Sequence, residues 1–139
     1  STLFPYTTLF RSDFLGRCRA LVCLLPLTPD TRDMLGRENL SRLPAGAYVV
    51  NVARGEHVVD DDLLALLDSG HLAGATLDVF RTEPLPDTHA FWRHPRVQVT
   101  PHTSAQTLRA ESIAQIAGKI RALERGEPVA GMVDLERGY

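Results

Sequence analysis

Four short apolar or β-branched runs, starting near residues 20, 48, 75 and 97, predict an α/β fold built on a four-stranded parallel sheet. Their spacing of roughly 30 residues suits repeated strand, helix, strand units with helices on both faces. The second run, Tyr48–Val52, has Asn51 as its one polar side chain, the mark of a strand buried on both faces. A long helical pattern then occupies the carboxyl-terminal quarter.

Taken in order, Ala20–Leu25 (ALVCLL) is a continuous apolar run ended by Pro26, and reads as a buried strand. Leu27–Thr31 is a turn cluster. Asp33–Leu43 carries Met34, Leu35, Leu40 and Leu43 among polar positions, predicting one or two short helices before Pro44-Ala45-Gly46 breaks them. After Tyr48–Val52 comes Arg54-Gly55, a polar turn and the run Asp60-Asp61-Asp62, which is expected to cap and charge-complement a helix ending at Gly70. Leu63, Leu66 and Leu67 form its inward face, widened by Leu64. Gly74–Phe80 and Val97–Thr100 are the third and fourth strands. Thr103-Ser104 is expected to cap a helix over Ala105–Arg125, with Ile113, Ile116, Ala117, Ile120 and Leu123 as its stripe and Gly126 as its stop.

The chain has 139 residues, 44% of them hydrophobic, and a formal net charge of −2 with the signs interspersed. That is enough for one core, and it leaves no basic footprint for nucleic acid and no polybasic face for a membrane. Small-molecule chemistry is the better expectation. Cys18 and Cys23, the two cysteines, have no metal-ligand spacing and fit a reduced, cytoplasmic setting. No run approaches a membrane span, and no basic-then-apolar secretory signal is present. Residues 1–12 (STLFPYTTLFRS) repeat Thr-Leu-Phe without helical or strand logic. They read as a non-native leader of the kind that adapter read-through produces, and are set aside from the fold.

Three loops follow three consecutive strands, and each carries one residue suited to chemistry: Arg54, Glu83 and His102. In a parallel sheet those loops share one edge, where open α/β sheets bind ligands. A guanidinium fork can clamp a carboxylate and polarise the carbonyl beside it. An imidazole can deliver a proton to that carbonyl oxygen, and a neighbouring glutamate can fix its tautomer. The chemistry these groups would perform together is reduction of a 2-oxo acid. His57, His71, His89 and His94 are expected to face solvent, the aspartate run to be a helix-start charge cluster, and Trp92 to be a packed aromatic in a short helix.

Val52-Ala53-Arg54-Gly55, Leu77-Asp78-Val79-Phe80-x-x-Glu83-Pro84 and Thr100-Pro101-His102 resemble the three signature motifs of the D-isomer-specific 2-hydroxyacid dehydrogenases, in family order and spacing. The likeness runs from about Ala20 to the end. It implies a partial Rossmann-type sheet, with Arg54 as substrate clamp, Glu83 as carboxylate partner and His102 as acid/base. It further implies a cofactor cleft lined by Pro26, Thr28, Thr31, Val52, Ala53, Arg54, His102 and Ser104, with Asp78 holding the nicotinamide carboxamide. Leu24-Leu25-Pro26-x-Thr28-Pro29-x-Thr31, the run from Arg54-Gly55 through His57-Val58-Val59 to Leu64, and the ending Arg137-Gly138-Tyr139 are similar to the glyoxylate/hydroxypyruvate reductase A branch. That branch implies a glyoxylate- or hydroxypyruvate-reducing oxidoreductase using NADP or NAD, with NADPH favoured, and a homodimeric parent.

The family's glycine-rich pyrophosphate turn, G-x-G-x-x-G, is not in this sequence. Residues 13–104 are therefore expected to be the carboxyl-terminal half of an NAD(P)-binding domain, and 105–139 a helix and tail that return to a substrate domain outside this chain. By the family's strand order, Ala20–Leu25 would then be an edge strand prone to intermolecular pairing, and the chain alone inactive. Two alternatives remain: another D-2-hydroxyacid dehydrogenase, or a non-catalytic, corepressor-like NAD(H)-binding protein of the same superfamily, which keeps the same three residues.

Overall fold

A computed structural model describes residues 13–105 and 107–135. The residues 1–12 set aside as a leader, and the Arg137-Gly138-Tyr139 ending, lie outside those described. The chain divides into two compact units with the boundary between His102 and Thr103.

The first unit holds one sheet of four strands, β1 (Ala20–Cys23), β2 (Ala47–Asn51), β3 (Leu72–Leu77) and β4 (Val97–Val99), in the order β1-β2-β3-β4. All three pairings are parallel, with Val22 opposite Val50, Val49 opposite Ala75 and Leu77 opposite Val99. Consecutive order and parallel direction put the carboxyl ends of all four strands on one edge. Each strand is a few residues shorter or shifted against the sequence reading, because Leu24, Leu25 and the stretch 78–80 leave the ladder to form the loops of that edge.

Val49, Ala75, Leu77, Leu63, Leu67 and Leu72 are fully buried in one core cluster. The helix between β2 and β3, α2 (Asp60–Asp68), follows the four-residue α1 (Arg37–Leu40), and delivers Leu63, Leu66 and Leu67 to that core as its spacing predicts. Fully burying a leucine side chain contributes about 1.5 to 3 kcal/mol, so these three weigh heavily in a sheet this small. Gly70, at φ +77°, ends the element in the left-handed conformation that glycine takes without strain.

Four expectations change. β1 is not buried on both faces: Val22 is 51% exposed and Leu24 73%, while Leu21 and Cys23 face the core. Asp60, Asp61 and Asp62 occupy the first turn of α2, where they complement the helix dipole, but Val59 is the N-cap and no side chain caps it. Asp62 instead accepts from the Arg37 amide at 2.9 Å, satisfying the free amino end of α1. The β3-to-β4 connection contains no α-helix, only the 3₁₀ turn Ala90–Trp92, since Pro84, Pro86 and Pro95 deny a helix its amide donors. Trp92 sits in that turn but is half-exposed, its Nε1 donating to the Pro86 carbonyl at 3.0 Å.

The four histidines also differ from expectation. His57 is fully buried, and His89 and His94 pair with Asp60 (3.4 Å) and Asp68 (3.2 Å) at the two ends of α2. His71 is half-buried with its Nε2 enclosed. Each amphipathic ring is drawn in by the apolar loop it closes, so loop position alone did not mean exposure.

The second unit is dominated by α3 (Arg109–Glu124), which ends at Gly126 with φ +69°. It starts later than expected. Leu108 is its N-cap and makes no side-chain cap bond, so Thr103 and Ser104 are loop residues rather than caps. The β-branched Thr107 disfavours an early start, whereas Ala110, Glu111, Ala114 and Gln115 favour the helix from Arg109 onward. Ile113, Ile116, Ile120 and Leu123 are all more than half exposed.

Candidate active site

Arg54 lies three residues beyond β2, Glu83 six beyond β3, and His102 three beyond β4, all at the edge where parallel sheets bind ligands. Glu83 Oε2 and His102 Nδ1 are 2.8 Å apart. The other oxygen of Glu83, Oε1, accepts from the Phe80 amide at 2.9 Å, so the carboxylate is oriented by its own loop. The hydrogen bond from His102 is the first cause, and the Phe80 amide the second, of a Glu83 pKa below its ordinary value; the positive fields of His102 and Arg54 push in the same direction. An ionised Glu83 requires Nδ1 of His102 to carry its hydrogen, which leaves Nε2 as the nitrogen that can exchange a proton with a ligand. His102 and Glu83 are both partly open to solvent, as groups that meet a ligand must be.

Arg54 is exposed, with Nη1 donating to the Ala53 carbonyl at 2.6 Å. Its main chain is held from beneath. Asn51, fully buried at the end of β2, donates from Nδ2 to the Arg54 carbonyl (2.9 Å) and accepts from the Ala53 amide through Oδ1 (3.1 Å). The lone polar side chain of an apolar strand is therefore the hinge pin of the loop after it. That singularity was the signal in the sequence.

The loops carrying Arg54 and Glu83 are stitched together by Arg81. Its Nε donates to the Val58 carbonyl at 2.7 Å, and its Nη2 to Val58 and Glu56 carbonyls and to the Asp33 carboxylate. Nothing in the spacing marked Arg81, because its partners, two main-chain carbonyls and the Asp33 carboxylate, lie more than twenty residues away.

The residues of the first unit that the sequence likeness assigns to a cofactor cleft fall at the same edge. Thr31 Oγ1 donates to the Pro26 carbonyl and receives the Thr28 amide, each at 2.8 Å, closing 26–31 into a compact turn beyond β1. Val52 and Ala53 lead out of β2, the Val52 amide bonding to the Cys23 carbonyl. Asp78, directly after β3, is fully buried and accepts from Thr100 Oγ1. Ser104 belongs to the second unit and is exposed.

Residues 6–104 match the NAD-binding domain of the D-isomer specific 2-hydroxyacid dehydrogenases. The chain belongs to this family. The match opens inside the stretch 1–12 and closes two residues past His102. Among solved structures, a D-isomer specific 2-hydroxyacid dehydrogenase from Xanthobacter autotrophicus in complex with NADPH is 45% identical with a TM-score of 0.91, over 95% of this chain and 55% of that one. An NADPH-dependent glyoxylate/hydroxypyruvate reductase from Sinorhizobium meliloti, in complex with NADP and sulfate, is 39% identical with a TM-score of 0.91, over 96% of this chain and 44% of that one. A third family protein, from Klebsiella pneumoniae, is 45% identical with a TM-score of 0.85, over 91% of this chain and 41% of that one. The chain thus spans about half the length of the dehydrogenases it matches. Its matched residues belong to the NAD-binding domain of that family, and none of its described helices is long and apolar enough to cross a membrane.

Proposed function

We propose that the full-length protein containing this chain reduces glyoxylate or hydroxypyruvate to the 2-hydroxy acid with NADPH, as a cytoplasmic homodimer, and that these 139 residues alone are inactive. The observation that carries the reading is the Glu83–His102 pair at 2.8 Å, at the strand edge where Arg54 also lies three residues beyond β2.

The roles follow from the chemistry of the three groups. Arg54 grips the substrate carboxylate and draws electron density from the adjacent keto carbon. His102, its Nδ1–H tied to Glu83, gives a proton from Nε2 to the keto oxygen, and Glu83 stabilises the ring's charged form. When bound, the nicotinamide cofactor supplies the hydride that reaches the same carbon. The residues at this edge suit the nicotinamide end of that cofactor: Pro26, Thr28, Thr31, Val52 and Ala53 border it, and Asp78 is the acceptor that the family likeness assigns to the carboxamide. The phosphate-cradling glycine turn would come from outside this chain.

The test is oxidation of NADPH, followed at 340 nm, by the full-length protein with glyoxylate and hydroxypyruvate. Activity with either, falling at least a hundredfold in His102→Asn with cofactor binding unchanged, is the expected result. Activity in His102→Asn within a factor of three of wild type would overturn it.

A further inference from the structure

His57 was expected to face solvent and instead is 0% exposed, buried under the loop that carries Arg54. Its Nδ1 is 3.0 Å from the carbonyl oxygen of Arg54 and its Nε2 is 3.4 Å from that of Pro26. Carbonyls only accept, so the shorter contact puts the ring hydrogen on Nδ1, directed at Arg54. The Arg54 carbonyl thereby receives two side-chain donors, the Asn51 amide from the strand side and the His57 imidazole from the loop side, beside the longer bond from the His57 main-chain nitrogen. The Arg54 peptide plane is fixed between them.

His57 is itself well anchored. Its main-chain oxygen accepts from the Leu35 amide at 2.8 Å, and its main-chain nitrogen donates to the Arg54 carbonyl at 3.3 Å. The flanking Val58 carbonyl is held by Arg81. An imidazole fixed at its base and held through Nδ1–H is rigid, and its Nε2 edge lies against the 26–31 turn.

We propose that His57 is a positioning residue for the 2-oxo acid: through its Nδ1–H bond to the Arg54 carbonyl it sets the direction in which the Arg54 side chain leaves the main chain. The inference rests on the reading of Arg54 as the substrate-carboxylate clamp. It adds that the clamp's aim is set by a residue three positions away that never touches the substrate. Small errors in such an aim are costly, because a bidentate grip tolerates little misdirection.

The test uses the full-length protein with His57→Asn, His57→Gln, Arg54→Ala and the double variant Arg54→Ala/His57→Gln, and measures KM for glyoxylate, KM for NADPH, kcat and thermal stability. An Asn side chain places its amide nitrogen near the position of imidazole Nδ1, and a Gln near Nε2. His57→Asn is expected to keep KM for glyoxylate within a factor of about two, and His57→Gln to raise it roughly tenfold with kcat lowered less than threefold. In the Arg54→Ala background His57→Gln is expected to have no further effect on KM, since there is no clamp left to aim. Equal KM increases in Asn and Gln variants, or a full additional increase on top of Arg54→Ala, would overturn the positioning role and leave His57 a packing residue. An Arg54→Ala variant with unchanged KM would overturn the clamp reading itself, and the inference with it.

Discussion

Gly55 lies directly against the Phe80 peptide: a Cβ built at residue 55 would stand 1.9 Å from the Phe80 carbonyl carbon and 2.4 Å from the Arg81 nitrogen. Both obstacles are main chain, so no rotamer change can relieve them. This contact brings the loop after β2 onto the loop after β3, and hence Arg54 toward Glu83. Gly55 is needed for closeness, not for an unusual backbone angle.

The corresponding prediction is that Gly55→Ala destabilises the full-length protein by about 3 kcal/mol, the upper end of overpacking losses, because backbone rather than side chain must yield. Urea unfolding measures the loss. A variant within about 0.5 kcal/mol of wild type, the scatter of an ordinary surface change, would contradict the contact.

Arg81 should behave as a strut rather than a surface charge. Its planar fork reaches the Val58 carbonyl and the Asp33 carboxylate together, which a lysine ammonium cannot copy. Arg81→Lys is expected to cost about 1 to 2 kcal/mol in urea unfolding and to raise KM for the keto acid as the Arg54 loop loosens from the Glu83 loop. No change in either quantity would mean the two loops are held by Gly55 packing alone.

Glu83 gives a pH signature. Its folded pKa lies below its ordinary value of 4.5, held there first by the hydrogen bond from His102. A carboxylate depressed on folding contributes stability that is fully present above the unfolded value and is lost as pH falls through the folded one. The stability difference between wild type and Glu83→Gln is therefore expected to be present above about 4.5 and to shrink as the pH falls below it, in urea unfolding across a pH series. A difference that does not shrink as the pH falls below about 4.5 would contradict the pair.

Much of this was legible in the letters. β2 and β3 could be placed because a run of Val, Leu and Ala with one polar interruption has few other uses. The site could be placed because parallel strands force successive loops to one edge, whatever lies between. His57 could not be placed, since a histidine in a polar turn is buried only through partners supplied by residues 26 and 54, which no local pattern reveals. Arg81 was hidden for the same reason. The start of α3 was misplaced because Thr103-Ser104 has capping chemistry, yet propensity favours the helix only from Arg109 onward.

β1 has a neighbour on one side alone among the described residues, and Val22 and Leu24 are exposed beside it. An unpaired apolar edge is a template for another chain. The 139-residue chain is expected to associate with itself in sedimentation experiments, and Val22→Lys to reduce that association without altering the far-ultraviolet circular dichroism. A monodisperse monomer at tens of micromolar would contradict this.

His102 stands at φ +53°, a region uncommon for residues other than glycine, which asparagine, aspartate and histidine enter more readily than other side chains. The chain thus stores a small conformational debt at the very atom pair that would handle protons, repaid by the bond to Glu83. An alanine there would carry the debt without the repayment and would report two losses as one, whereas asparagine, at home in that twist, isolates the missing ring.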